Sequence, residues 1–298
     1  MAGGWSRRVD LSRSPARDIA PTVSPDGKRI AFASDRGGRA RLDVVGSGGG
    51  AATAVSRALF PVGASDGLIA QIAWSPSSRQ LAIAASGSNA PPVLYVGGLD
   101  GRGRVVRRGT VIDGPAWSPD GRLVVFTTGV GPSGNRNETR VVDRDGAAAW
   151  RVGGNQVRHP AWSARGRLAV DVGSRTIRVY REDGRRLSSF PGRGFAWSPS
   201  GDRLASMNGV RLELRRGGTD RPTLSVPLLT PSQIFRPDAQ NGVAWFGSSR
   251  VGVATGDGWI VGTSRPAGRR GCPARSSGRP PRTARGRPGK RPRPEASR

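Results

Sequence analysis

The chain holds one histidine, His159, and one cysteine, Cys272, and these two residues bound the chemistry open to it. A lone cysteine permits neither a disulfide within the chain nor a cysteine-based metal site. A lone histidine cannot assemble a metal site by itself. Gly63-Ala64-Ser65-Asp66-Gly67 carries the letters of a nucleophile elbow. That turn, however, needs a strand-to-helix context and a downstream histidine inside an α/β domain, and neither surrounds Ser65. Gly129-Val130-Gly131-Pro132-Ser133-Gly134 carries the letters of a dinucleotide fingerprint. It leads into a second strand rather than a helix, so it reads as a hairpin loop with no helix N-terminus for a pyrophosphate. Asn137-Glu138-Thr139 is a glycosylation sequon, which acts only in a secreted chain. No set of acid, base and nucleophile is visible, and the expectation is no catalytic residue, no metal and no cofactor.

The elements that would position any site come from a repeat. Ala116-Trp117-Ser118-Pro119-Asp120-Gly121 closes an apolar run, turns, and opens a second run at Leu123. Pro presets the turn, Asp and Gly tolerate the positive φ after it, and the flanking β-branched and aromatic residues suit paired strands. Five further versions are centred on Val23, Trp74, Trp162, Trp197 and Trp245, and the six anchors lie 51, 43, 45, 35 and 48 residues apart, about 44 on average. All-strand units at that period mark a β-propeller with one four-stranded blade per repeat. The fold class is therefore all-β, a six-bladed β-propeller. The sixth repeat supplies three strands, and the short run 7–11 is expected to complete that blade, because an open ring would expose a sheet edge and an apolar face.

With the anchors assigned to architecture, the weakly patterned residues just before them become the binding candidates. Asp18, Asp113, His159, Arg193 and Asn241 stand there in five of the repeats. They are expected to ring one mouth of the central channel, with His159 in the neighbourhood of Asp113. The long connections Leu228 to Asn241 and Phe60 to Ile69 are the loops where specificity would be added.

Of the net charge of +27, residues 265–298 carry +11 and residues 1–264 carry +16. The last segment is Arg, Pro, Gly, Ser and Ala with almost no aliphatic residue, a composition that cannot offset its ordering entropy, so it is expected to be disordered. The domain reading is a propeller over 1–264 and a disordered basic tail over 265–298. Nucleic acid could be engaged through that tail alone. No run reaches the 18 apolar residues of a membrane span, and the first residues lack the apolar core of a signal peptide. The chain as written reads as cytoplasmic and monomeric, and as periplasmic or otherwise extracytoplasmic if its true start lies upstream.

The recurring Ala-Trp-Ser-Pro-Asp-Gly-Arg-Leu pattern, with Pro before it and an Asp-x-Asp-Gly turn after it (Asp143 to Gly146), resembles the WD-repeat-like blades of the TolB family. The resemblance covers residues 7–264. It implies a six-bladed propeller that binds proteins or peptides at one face and the central channel. The functional expectation is a non-catalytic scaffold for a protein or peptide partner. Two alternatives stand beside it: a propeller-borne hydrolase or lyase with a channel site, and binding of an anionic partner through the tail.

Overall fold

A computed structural model describes residues 14–35, 41–56, 68–87, 90–130, 136–154, 156–173, 175–227, 242–255 and 258–263. The chain divides into two units, Met1–Ser264 and Arg265–Arg298, and all described residues lie in the first. The strand expected at 7–11, the tail, Asn241 and nearly all of the two long connections lie outside the described residues.

The repeated turn folds as its residue types dictate. In Ser118-Pro119-Asp120-Gly121 the Gly121 N–H donates to the Ser118 carbonyl at 2.9 Å, and the Ser118 N–H to the Leu123 carbonyl at 2.9 Å. The Ser118 hydroxyl donates to Asp120 at 2.6 Å, and that carboxylate accepts the Arg122 backbone N–H at 3.0 Å. Ser24 and Asp26 repeat the arrangement, with the Ser24 hydroxyl 2.6 Å from its Asp26 acceptor. A small polar side chain thereby satisfies the backbone groups that the reversal leaves unpaired. Gly201 shows why the fourth position is glycine: its φ is +69°, and a Cβ there would stand 2.6 Å from the backbone nitrogen of Ala164 in the neighbouring turn.

Each turn joins the first two strands of an antiparallel sheet, and there are six sheets. They comprise β1(Asp18–Val23) to β4(Thr53–Ser56), β5(Leu68–Trp74) to β8(Gly103–Arg108), β9(Ile112–Trp117) to β12(Ala148–Val152), β13(Val157–Trp162) to β16(Arg186–Pro191), β17(Arg193–Trp197) to β20(Leu224–Pro227), and β21(Val243–Phe246) to β23(Gly258–Thr263). The first five have four strands, and the sixth has three among the described residues. Within each sheet the strands follow chain order as consecutive hairpins. No helix occurs among the described residues. Of the expected hairpin loop at 129–134, Gly129 and Val130 lie in β10(Leu123–Val130), paired with Asn137 and Arg136 of β11(Arg136–Asp143), and the rest lies outside the described residues.

The first strands stand side by side in chain order, β1 with β5, β5 with β9, β9 with β13, β13 with β17, and β17 with β21. Five apolar clusters fill the gaps between consecutive sheets. Ala31, Leu42 and Val44 of blade one meet Trp74, Leu81 and Ile83 of blade two. Blades two and three share Leu94 and Phe126, blades three and four Val125 and Leu168, blades four and five Ile177 and Phe195, and blades five and six Leu214 and Val251. Strand alternation gives each blade two apolar faces, one for each neighbour, which explains the low overall apolar content.

Each anchor tryptophan packs against the blade before its own. The reason is a hydrogen bond as well as a cavity. The Trp74 indole donates to the Thr22 carbonyl at 3.0 Å, Trp117 to Ala73 at 3.2 Å, Trp197 to Ala161 at 3.1 Å and Trp245 to Ala196 at 3.0 Å. The acceptor is in every case the residue just ahead of the preceding anchor. Trp162 departs from the rule: its indole nitrogen is buried without a partner. Between blades three and four the indole bond comes instead from Trp150, on the outermost strand β12, to the Glu182 carbonyl at 2.8 Å, with Tyr180 against its ring.

Candidate functional site

All the first strands except β21 carry an irregularity near their starts, where the register to the second strand shifts. In four of them the residue three places before the anchor has left-handed backbone: Ala20 with φ of 52°, Gly114 with 61°, His159 with 52° and Gly194 with 53°. A bulge of this kind re-aims side chains at a strand end. It also brings neighbouring first strands together, since the Gly114 N–H donates to Gln71 Oε1 at 2.5 Å and a Cβ on Gly114 would stand 3.4 Å from the Pro160 ring.

The candidate residues fall at these starts, inside the strands rather than ahead of them. Asp18 opens β1, Asp113 is the second residue of β9, His159 the third of β13, and Arg193 opens β17. Asp113 and His159 are exposed and Arg193 is half-buried. The four share one end of the first strands but not one position. Asp113 and Arg193 lie four places before their anchors, Asp18 five and His159 three. Because side chains alternate along a strand, residues one step apart do not form a ring of equivalent groups. The residue of blade four that matches Asp113 and Arg193 is Arg158, which pairs with Asp171.

The partner of His159 is Asp171, not Asp113. Its Nδ1 lies 3.0 Å from Asp171 Oδ2, on the adjacent strand β14(Arg167–Val172). The imidazole is 39% exposed and the carboxylate 11%, so the pair runs from solvent into the sheet. Burial raises the Asp171 carboxyl above the usual carboxylate range; the His159 hydrogen bond and charge, and the Gly194 backbone N–H of blade five, pull against that rise. Nothing in the sequence points to Asp171, which sits in an ordinary strand run twelve residues after His159.

Other buried charges serve the blades. Arg215 and Glu213, 3% and 7% exposed, pair at 2.6 Å, and the Arg215 guanidinium stacks 3.9 Å from the centre of the Phe190 ring of blade four. At the opposite end of the sheets a cleft of about 440 Å³ is lined by Arg165, Arg167, Arg181, Glu182, Asp183 and Leu187. Among the described residues no group of three His, Cys, Asp or Glu is placed to hold a metal ion. No helix there is long and apolar enough to cross a membrane.

Residues 2–166, more than half of the chain, match the family described as PD40, the TolB beta propeller domain. The chain belongs to the TolB β-propeller family. A comparison with curated proteins finds no match. Among solved structures, this TolB-family chain is similar to the C-terminal WD40 domain of Sif2, at 16% identity and a TM-score of 0.60, over 83% of this chain and 70% of that one. At that identity the likeness is one of fold. Putative TolB from Agrobacterium tumefaciens aligns at 20% identity and a TM-score of 0.46, over 64% of this chain and 75% of the other. TolB from Acinetobacter baumannii aligns at 20% and 0.46, over 68% of this chain and 53% of the other.

Proposed function

We propose that this TolB-family propeller is a non-catalytic scaffold that binds a protein or peptide partner at one face, across the channel mouth formed by the starts of the first strands. The observation that carries this reading is the left-handed bulge three places before the anchor, found in four first strands. Beside it Asp113 and His159 are exposed, while the Trp117 that comes after Asp113 is buried. Polar groups that can orient a ligand are thus set on rigid strands rather than on loops. The functional unit is the propeller over residues 1–264, and the basic segment 265–298 is an appendage to it.

The test is selection of binding peptides by display on the full chain, followed by calorimetric titration of the selected peptide. Asp113→Ala and Arg193→Ala are each expected to weaken binding tenfold or more, which is about 1.4 kcal/mol. Arg165→Ala and Arg181→Ala, in the cleft at the other end, are expected to leave it unchanged. Binding that withstands both mouth substitutions contradicts the reading.

A further inference from the structure

Blade three shows what blade four would be without His159 and Asp171. The residue three places before the anchor is Gly114 in blade three and His159 in blade four, and both have left-handed backbone, with φ of 61° and 52°. The residue one place earlier pairs with Thr127 in blade three and with Asp171 in blade four. Blade four therefore places an imidazole side chain where blade three has glycine, and a carboxylate in a buried position that a threonine fills next door. The carboxylate receives both the Gly194 backbone N–H of blade five and the His159 ring, and the ring contact is the one that blade three lacks. Ala20 has the same left-handed backbone in blade one, so the bulge belongs to the repeat, and what is particular to blade four is an exposed ring on that bulge held by a buried carboxylate.

The geometry also says how the ring is held. Asp171 can only accept where it is ionised, so its bond to Nδ1 places the imidazole proton there and leaves the lone pair of the neutral ring on Nε2. With 39% of the side chain exposed, the ring reaches solvent at the end of β13 that lies beside β9 and β17.

We infer that His159 is a ligand-contacting residue of the channel mouth and that Asp171 is its positioning residue. The group received at Nε2 is a hydrogen-bond donor, a backbone N–H or an amino group of a peptide segment. This rests on the peptide-binding reading above and adds to it the contact and its polarity.

Because His159 is the one histidine in the chain, its ring gives a single set of imidazole ¹⁵N signals, and the full chain can be used. The signals are expected to report Nδ1–H and an Nε2 lone pair, and the display-selected peptide is expected to shift the Nε2 signal at saturation. Asp171→Asn is expected to mix the tautomers and weaken the peptide several-fold. The double variant His159→Gly with Asp171→Thr rebuilds the blade-three pair. It is expected to fold as the wild type does, by circular dichroism, while binding the peptide at least tenfold more weakly. An Nε2 signal unmoved by saturating peptide overturns the inference, and one that moves to the imidazolium position overturns the donor assignment. If the double variant binds as the wild type does while Asp113→Ala does not, this inference falls and the mouth reading stands. If all mouth variants bind normally, both fall.

Discussion

The indole N–H of Trp117 donates to the carbonyl of Ala73, 3.2 Å away in space and 44 positions earlier in the chain. That separation is the repeat period itself, so the spacing of the anchors reflects one physical bond, made by Trp74, Trp117, Trp197 and Trp245. Each of these four indoles closes the gap to the blade before it with an apolar body and a polar tip.

Trp117→Ala is expected to lower the unfolding free energy by about 3–5 kcal/mol, the usual loss for truncating a buried aromatic. The four bonded anchors and Trp162 should then differ under substitution by Phe. Trp117→Phe loses a hydrogen bond, worth roughly 0.5–1.5 kcal/mol, and leaves the Ala73 carbonyl short of a donor. Trp162→Phe removes an indole nitrogen that has no partner, so its cost is expected to be smaller by about that amount. Urea titrations of the two Phe variants check the difference.

Trp150 should be as costly to lose as an anchor although it lies on an outermost strand. It donates to the Glu182 carbonyl at 2.8 Å and stands against Gly184, where a Cβ would meet the indole ring at 2.9 Å. Trp150→Ala is expected to cost about 3 kcal/mol or more, and Gly184→Ala to destabilise as well, since φ there is +84°. Hydrogen exchange is expected to quicken at the seam of blades three and four before any other.

The pair of Glu213 and Arg215 is nearly solvent-free, so breaking it and replacing it should differ sharply. Arg215→Ala leaves the buried Glu213 charge without its cation, with only the neutral donors Asn208 and Ser225 still bonded to it, and is expected to cost about 3 kcal/mol. The double replacement Glu213→Leu with Arg215→Met is expected to cost far less, because both desolvation penalties vanish together. Thermal unfolding of the single and double variants separates the outcomes.

Acid should unfold the protein through its turns. In Asp26 the Ser24 hydroxyl, then the Lys28 backbone N–H, hold the carboxyl below its ordinary 3.8. In Asp120 burial pushes upward, but the Ser118 hydroxyl and the Arg122 N–H and charge outweigh it. In Asp202 the Ser200 hydroxyl leads the lowering against burial. A depressed carboxylate contributes stability that is present above its unfolded pKa and is lost as pH falls through the folded one. The combined Asn variant of these three is expected to lose less stability than the wild type below about pH 4. Asp171 has the opposite sign: burial raises it, so its contribution is largest in acid and declines as pH rises through its unfolded and then its folded pKa. Asp171→Asn should lack that decline.

The turns and anchors were legible because each is a local chemical device, Pro for φ, Gly for the reversal, Ser and Asp for backbone partners, repeated at one period. The strand spans came with them. What the sequence hid depends on register. A bulge adds a residue to one strand without any letter to mark it, so Asp113, His159 and Arg193 look equivalent in sequence, whereas Asp113 and Arg193 share one step of their strands and His159 stands one step later, on the bulge itself. Asp171 was hidden for a related reason, since only the pairing of β13 with β14 brings it to His159. The direction in which each tryptophan packs was equally hidden, because both faces of a blade are apolar.

The most direct test of the central claim is hydrogen–deuterium exchange on the full chain with and without a display-selected peptide. The account predicts new protection at the strand starts, residues 18–20, 112–114, 157–160 and 193–195. Protection confined to the turns at 24–28, 118–122 and 163–167, or to the basic segment 265–298, would contradict it.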